Sequence, residues 1–370
     1  MATLSRSRRW AVPAGVLALV TGGVLAGHAI GAAANPGLPH RGAQQLLADV
    51  ATANPPGVSG TIVETASLGL PSMPTGNADT SLTSLLSGSH TSRLWYADPQ
   101  HVRFAIQADL AETDLIRNGK DLWTWTSSSN TVDHRTLTGH ADEKATTPEA
   151  PLTPDQAAKQ LLAKLGPTTR VSTDGTASVA GRASYELVLD PRDTKSLIGT
   201  VRIAVDARTH VPLRVRVYAR GAGSPAAEIG FTSVNFNKPS ASQFKFKAPP
   251  GSTVTEAGQA PGDVPGAGRR GDLDLVGPSQ TVGTGWTAVM YTRDRHLAWM
   301  VREQTAEGHN HGGDSMMGAL VQSATPVSGT WGSGRLLRTK LLSVLLTDDG
   351  RLFAGAVTPD VLYQAAGSHQ

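Results

Sequence analysis

The sequence predicts a mainly β protein of the α+β class, on three observations. Short runs of alternating apolar and polar residues recur along most of the chain, which is the two-residue period of strands with one buried face. Gly (40) and Pro (23) are plentiful among the 370 residues and aromatics are sparse, a composition that suits many short strands joined by turns better than a helical bundle. Only two stretches of the larger, N-terminal part carry a helical stripe. The length accommodates one large domain and a smaller one.

Residues 1–34 read as a targeting segment. Arg6, Arg8 and Arg9 precede an uncharged run over 10–34, and Ala32, Ala33 and Ala34 suit a signal peptidase. The run is also long enough to stay as a membrane anchor, although Pro13 and several glycines weaken it as a helix; the flanking arginines then predict an N-in, C-out orientation. Either outcome exports the remainder, as a secreted protein or one held at the outer face of the cytoplasmic membrane.

Residues 41–53 follow as an amphipathic helix with Ala43, Leu46, Leu47 and Val50 on one side, stopped by Asn54-Pro55-Pro56-Gly57. A strand is expected over 59–66, then a polar insertion over 67–90 that is either a flap carrying Leu82, Leu85 and Leu86 or a surface loop. Residues 91–137 read as four or five strands in series. Val102, Phe104 and Ile106 alternate with His101, Arg103 and Ala105, Asn118-Gly119-Lys120 makes a tight turn, and Trp123 and Trp125 share a face. After a polar loop over 139–151, Thr153-Pro154-Asp155-Gln156 forms a capping box that opens a second helix. Its stripe is Ala157, Leu161, Leu162 and Leu165, and Gly166-Pro167 ends it.

Strands return over 183–189, 199–206 and 211–220. Tyr185, Leu187 and Leu189 share a face, as do Val201, Ile203 and Val205, and Leu213, Val215 and Val217; Arg202, Arg214 and Arg216 take the opposite face, read as solvated. Residues 229–236 and the pair Phe244 and Phe246 complete a sheet of ten or eleven strands. A sheet of that size curls, and the part of its apolar face that two helices leave uncovered becomes a concave pocket. Alternation tells which residues share a face, but not whether protein or ligand fills it.

Composition narrows the chemistry. There is no Cys, which removes disulfides, thiolate metal sites, a thiol nucleophile and a lipid attached through an N-terminal Cys. Outside the leader, 30 basic residues face 30 acidic ones, so no electrostatic footprint for nucleic acid is present. Gly283, Gly285 and Ala288 have the spacing of a dinucleotide fingerprint, but strand-like residues follow where a helix is needed, and a glycine turn is the better reading. His309, His311 and Asp314 sit among glycines, as in a polar loop more than a metal site. Ser333 lacks the first glycine of a nucleophile elbow, and Asp348-Asp349-Gly350 reads as a turn. With no nucleophile, base and orienting group standing together, an enzyme is disfavoured and no cofactor is expected.

Arg93 to Tyr96, Pro99 with Val102-Arg103-Phe104, Asn118-Gly119-Lys120-Asp121-Leu122-Trp123-Thr124-Trp125, Val179 to Leu187, and Val205-Asp206 leading to Pro212-Leu213 together resemble the strand signature of the LolA-like superfamily. That superfamily includes envelope lipoprotein carriers and the RseB/MucB regulators of envelope-stress sigma factors. The resemblance spans residues 44–247 and rests on spaced strand residues. It implies an unclosed antiparallel β-barrel with helices as a lid over a cavity for acyl chains. The departure is the tail: a carrier ends after its barrel, whereas here a Pro/Gly-rich stretch and about a hundred residues follow. The tail reads as strand-like residues at 272–276 and 286–292, two strands around Asp348-Asp349-Gly350, and a helix opened by Thr358-Pro359-Asp360, a layout closer to the two-domain RseB/MucB type.

The expected organisation is a half-barrel over 35–250, a linker over 251–271 and a small C-terminal α+β domain over 272–370. The resemblance implies a monomeric binding protein that shelters acyl chains of a lipid or lipoprotein, or a regulator that senses them and binds a membrane-bound anti-sigma factor. The residues expected to line the cavity are Val102, Phe104, Ile106, Trp123, Trp125, Tyr185, Leu187, Val201, Ile203, Leu213 and Val215.

Overall fold

The computed structural model describes residues 37–69, 87–107, 111–137, 153–162, 166–256, 280–293 and 323–369. The leader, most of the 67–90 insertion, the 139–151 loop, Leu165, residues 257–279, and the stretch carrying His309, His311 and Asp314 lie outside the described residues. No helix among the described residues is long and apolar enough to cross a membrane.

Helix α1 (Ala43–Thr52) leads into β1 (Val58–Ser67), and the meander follows as β2 (Ser87–Asp98), β3 (His101–Gln107), β4 (Glu112–Asn118), β5 (Asp121–Thr126) and β6 (Thr131–Thr136). Helix α2 (Pro154–Leu162) precedes β7 (Thr169–Val179), β8 (Arg182–Pro191), β9 (Ile198–Asp206), β10 (Pro212–Ala219) and β11 (Pro225–Asn235). With β12 (Thr253–Glu256) these strands form one unclosed sheet of 12 strands, in the order β12-β6-β5-β4-β3-β2-β1-β11-β10-β9-β8-β7. All neighbours are antiparallel except β12, which runs parallel to β6.

Local chemistry explains most of these elements. The capping box of α2 is formed: Gln156 N donates to Thr153 Oγ1 (3.2 Å) and Thr153 N donates to Gln156 Oε1 (2.9 Å). Ala180 and Gly181 turn β7 into β8 with φ of 51° and 74°, the positive pair that matches the twist of a two-residue hairpin. At Gly60 an added Cβ would lie 2.1 Å from the Ser233 carbonyl oxygen, beside the irregularity where β1 meets β11. Only a residue without a side chain lets the two strands meet so closely there.

Helices α1 and α2 lie on one face of the sheet, where α2 packs on β10 and β11 and α1 packs on β7 and α2. Strand β7 approaches β11 although three strands separate them, so this half is tightly rolled. Leu46 and Val50 from α1 and Ala157, Ala158 and Leu161 from α2 join Leu187, Leu189, Val201, Ile203, Val215, Val217 and Ile229 in one core.

The C-terminal sheet has six strands: β13 (Gln280–Val282), β14 (Val289–Arg293), β15 (Thr325–Gly329), β16 (Gly332–Arg338), β17 (Ser343–Thr347) and β18 (Arg351–Gly355), in the order β13-β14-β18-β17-β16-β15. Helix α3 (Pro359–Gly367), with Pro359 in its first turn, buries Leu362, Ala365 and Ala366 against it. The two sheets are joined by main chain and by core. Leu197 N donates to Ala356 O, Thr358 N to Lys195 O and Lys340 N to Leu68 O, each at 2.8 to 2.9 Å. Trp286 and Leu341 belong to the core of the large sheet, and Trp286 Nε1 donates to Thr169 Oγ1 at 2.7 Å.

Several elements differ from the sequence reading. Phe244 closes a 3₁₀ turn (Ala241–Phe244) instead of a strand, and it is buried against the outer face of β3, tilted on His101 at 5.7 Å. The first four described residues of the expected linker after Gly251 and Ser252 form β12 and extend the large sheet. Trp286 lies in a 3₁₀ turn (Gly285–Thr287), and the strand begins at Val289.

Candidate functional site

The residues expected to line a cavity divide into three groups. Tyr185, Leu187, Val201, Ile203, Leu213 and Val215 lie on the rolled half, at most 7% exposed, in the core beneath the helices. The protein's own side chains cover that part of the concave face.

Val102, Phe104 and Ile106 form the second group, on the other half of the same face. Directly paired residues of antiparallel strands point to the same side, so the pairing extends the apolar strip in rows. One row is Tyr96, Val102 and Arg117; the next is Leu94, Phe104 and Leu115; the third is Ser92, Ile106 and Thr113. Phe104 is buried, while Val102, Ile106 and Tyr96 are only partly covered. Burial raises the Tyr96 hydroxyl above its ordinary pKa, with the Asp98 and Asp155 charges adding to the effect.

Towards the opposite end the same face turns polar. Glu64 on β1 pairs with Ile229 on one side and His90 on the other, in the row beyond Ile62 and Ser92. No hydrogen bond or ion pair reaches the Glu64 carboxyl among the described residues, and burial pushes its pKa from 4.5 up to about 8.

Trp123 and Trp125 form the third group and fall on the other side of the sheet. Trp123 pairs with Ile116, which pairs with Arg103; Trp125 pairs with Asp114, which pairs with Ala105. Arg103 and Ala105 alternate with Val102, Phe104 and Ile106, so the indoles belong to the convex face and do not line the hollow. There Trp123 stacks on His134 at 3.7 Å and on Phe246 at 5.1 Å, and Trp125 Nε1 donates to Asn130 Oδ1. His134 is held between two carboxylates, Glu256 at 2.7 Å from Nδ1 and Asp121 at 3.0 Å from Nε2. Arg103 crosses the Trp95 ring and forks onto Asp114 with bonds of 3.0 and 2.6 Å.

The arginines of the rolled half are not a simple solvated face. Arg202 bonds Glu186 and Asp174, Arg216 bonds Glu228, and Arg214 lies between Glu186 and Glu228 at 3.7 and 3.9 Å. Arg214 is 4% exposed, and desolvation followed by the neighbouring Arg216 charge lowers its pKa. Its stem fills the space left by Gly230, where an added Cβ would lie 2.9 Å from Arg214 Cγ.

The remaining motifs have structural roles. Gly283 and Gly285 are turn positions with φ of 80° and 66° before the 3₁₀ turn that carries Trp286. Ser333 donates to Asp348 across a hairpin, and Asp349 accepts from Arg351 and Thr347 at the β17–β18 turn. No group of three His, Asp or Glu residues that could hold a metal occurs among the described residues. A crevice of about 320 Å³ lies where the sheets meet, with Lys195, Val282, Val361 and Gln364 among its walls.

No protein-family model and no curated protein sequence matches the chain. Solved structures do match. A crystal structure of MucB in complex with MucA(peri) shares 17% identity, covering 88% of this chain and 97% of that one, with a TM-score of 0.42. The Pseudomonas aeruginosa MucA/MucB complex shares 18% identity over 88% and 96% of the two chains, with a TM-score of 0.41. A LolA superfamily protein from Nitrosomonas europaea shares 12% identity over 56% of this chain and 99% of that one, with a TM-score of 0.24. The assignment of a half-barrel rests on the unclosed twelve-stranded sheet itself.

Proposed function

We propose that this chain is an exported binding protein that seats an acyl chain of a lipid or lipoprotein on the concave face of β1 to β4, leaving the polar head in water. One observation carries the reading: the two helices sit on the rolled half, and the apolar strip beside it keeps Tyr96, Val102 and Ile106 partly accessible. Each methylene buried there gains about 0.8 kcal/mol, so an acyl chain moves between membrane and strip only when the two burials nearly match. The targeting segment expected over 1–34, cleaved or kept as an anchor, supports an exchange outside the cytoplasm.

The test is mass spectrometry of organic extracts from the natively purified protein. Lipid or acylated peptide is expected from the wild type and reduced recovery from Ile106→Asp. An extract free of acylated species, from protein that melts cooperatively, would defeat the proposal.

A second reading is a regulator in which the same strip senses lipid and the C-terminal sheet conveys the response to a membrane-bound anti-sigma factor. The observation that favours it is the mechanical continuity of the sheets through the main-chain bonds of Leu197, Thr358 and Lys340 and the buried Trp286. A carrier needs no such attachment. Crosslinking in cells separates the two: one membrane partner captured at 272–370 supports the regulator, and many lipoproteins captured at the half-barrel support the carrier.

A further inference from the structure

The apolar strip ends in a group that the fold does not use. Glu64 lies partly exposed on the concave face, flanked by Ile229 and with His90 opposite, and among the described residues no hydrogen bond or ion pair reaches its carboxyl. Other enclosed carboxylates of this sheet all have partners: Asp114 has Arg103, Asp206 has Arg182, and Glu186 has Arg202. A partly exposed carboxyl without a partner, at the end of the strip where the face turns polar, is placed to meet a polar atom brought by a ligand.

We infer that Glu64 is the polar anchor of the acyl site, its carboxyl donating a hydrogen bond to the ester or amide carbonyl at the head of the bound chain. This rests on the acyl-binding reading above. The geometry fits a chain whose tail lies against the partly accessible Ile106, Val102 and Tyr96, with its first carbonyl at the Glu64 row. Desolvation keeps the carboxyl protonated at neutral pH, which makes it a donor. His90 is the titratable group that faces it from β2; β11 presents Ile229, which has no charge. Above about pH 8, where Glu64 and a free fatty acid are both ionised, the two carboxylates repel each other, whereas an ester or amide carbonyl meets no such repulsion.

Two probes test this on the protein purified in its exported form: 1-monomyristoylglycerol, an uncharged ester, and tetradecylamine, a cation. The wild type is expected to bind the ester and to lose affinity as pH rises past about 8. Glu64→Gln, which keeps a donor, is expected to bind the ester with no such pH dependence. Glu64→Leu removes the donor and is expected to weaken binding about fivefold at pH 6, the usual worth of one neutral hydrogen bond. Thermal unfolding of Glu64→Leu reports its fold independently, since replacing a desolvated carboxyl with an apolar group raises the melting temperature. Unchanged ester affinity and pH profile in Glu64→Leu would overturn the anchor while leaving the acyl site standing. Tighter binding of tetradecylamine, lost in Glu64→Gln, would replace the donor with an ion pair and also overturn it. If the wild type binds neither probe, the acyl-binding reading fails and this inference falls with it.

Discussion

Two carboxyls of the large sheet respond to pH in opposite directions because one is desolvated alone and the other with partners. Burial would raise the Asp206 pKa, but Arg182 forks onto it at 2.5 and 3.0 Å and Thr209 donates twice, and the net shift is downward. A lowered folded pKa means that the stabilisation is fully present above the unfolded value of about 4 and is lost as pH falls below it. Asp206→Asn takes the carboxylate from the part-buried Arg182 guanidinium and is expected to cost about 1.5 to 3 kcal/mol at pH 7 in chemical denaturation, and much less at pH 2 to 3. Glu64 has the opposite sign. Its folded carboxyl keeps a proton that the unfolded chain has already released, so stability falls as pH rises from 4.5 to about 8. Glu64→Gln is expected to remove that slope from denaturation midpoints measured over this range; an unaltered slope would show that Glu64 is not its source. Neither carboxyl stands out in the sequence. Both sit at ordinary strand positions, and the cross-strand neighbours that set them apart, Arg182 for Asp206 and His90 for Glu64, lie 24 or more residues away along the chain.

Among the elements, β12 has the least intrinsic reason to exist. It is four residues long, follows a Pro/Gly-rich stretch and carries Val254, which is 47% exposed. Its attachment depends on main-chain pairing with β6 and on His134, whose two nitrogens face Glu256 and Asp121. His134→Phe keeps a ring against Trp123 but removes both bonds, and amide hydrogen exchange of 253–256 is expected to accelerate while β2 to β4 stay protected. Equal protection in the variant would show that backbone pairing alone holds the strand. The contrast with α2 is instructive: its start was legible because both halves of the capping box lie within four residues. Strand β12 was not, because its partner lies about 120 residues earlier. For the same reason β7, β13, β15 and β16 lacked a clear sequence signal: they are edge or near-edge strands with one to three apolar side chains to alternate.

At the scale of the whole molecule, the two sheets behave as one body because they share core as well as surface. Trp286 reaches from the smaller sheet into the larger one's core, and Leu341 does the same from the β16–β17 connection. Trp286→Ala is expected to cost about 3 to 5 kcal/mol. Calorimetry is expected to show one transition for the wild type splitting into two in the variant; a single, merely lowered transition would mean that the remaining contacts suffice for coupling. This coupling is what the regulator reading needs and the carrier reading does not. It gives Trp286→Ala a second use as a variant that leaves the acyl strip intact.

The sequence by itself determined which residues share a face within each strand, where the helices start, and that a large curled sheet would carry an apolar side. Those properties follow from a two-residue period, caps and turns, all of which act over a few residues. Tertiary structure decided which face of each strand points inward. Trp123 and Trp125 alternate as plainly as Val102 and Phe104, yet the β3–β4–β5 register sends them to the convex side. It also decided that the helices fill the rolled half and leave the strip near Glu64 uncovered by them, because pairing register and helix docking are set by contacts between distant segments that no local pattern encodes.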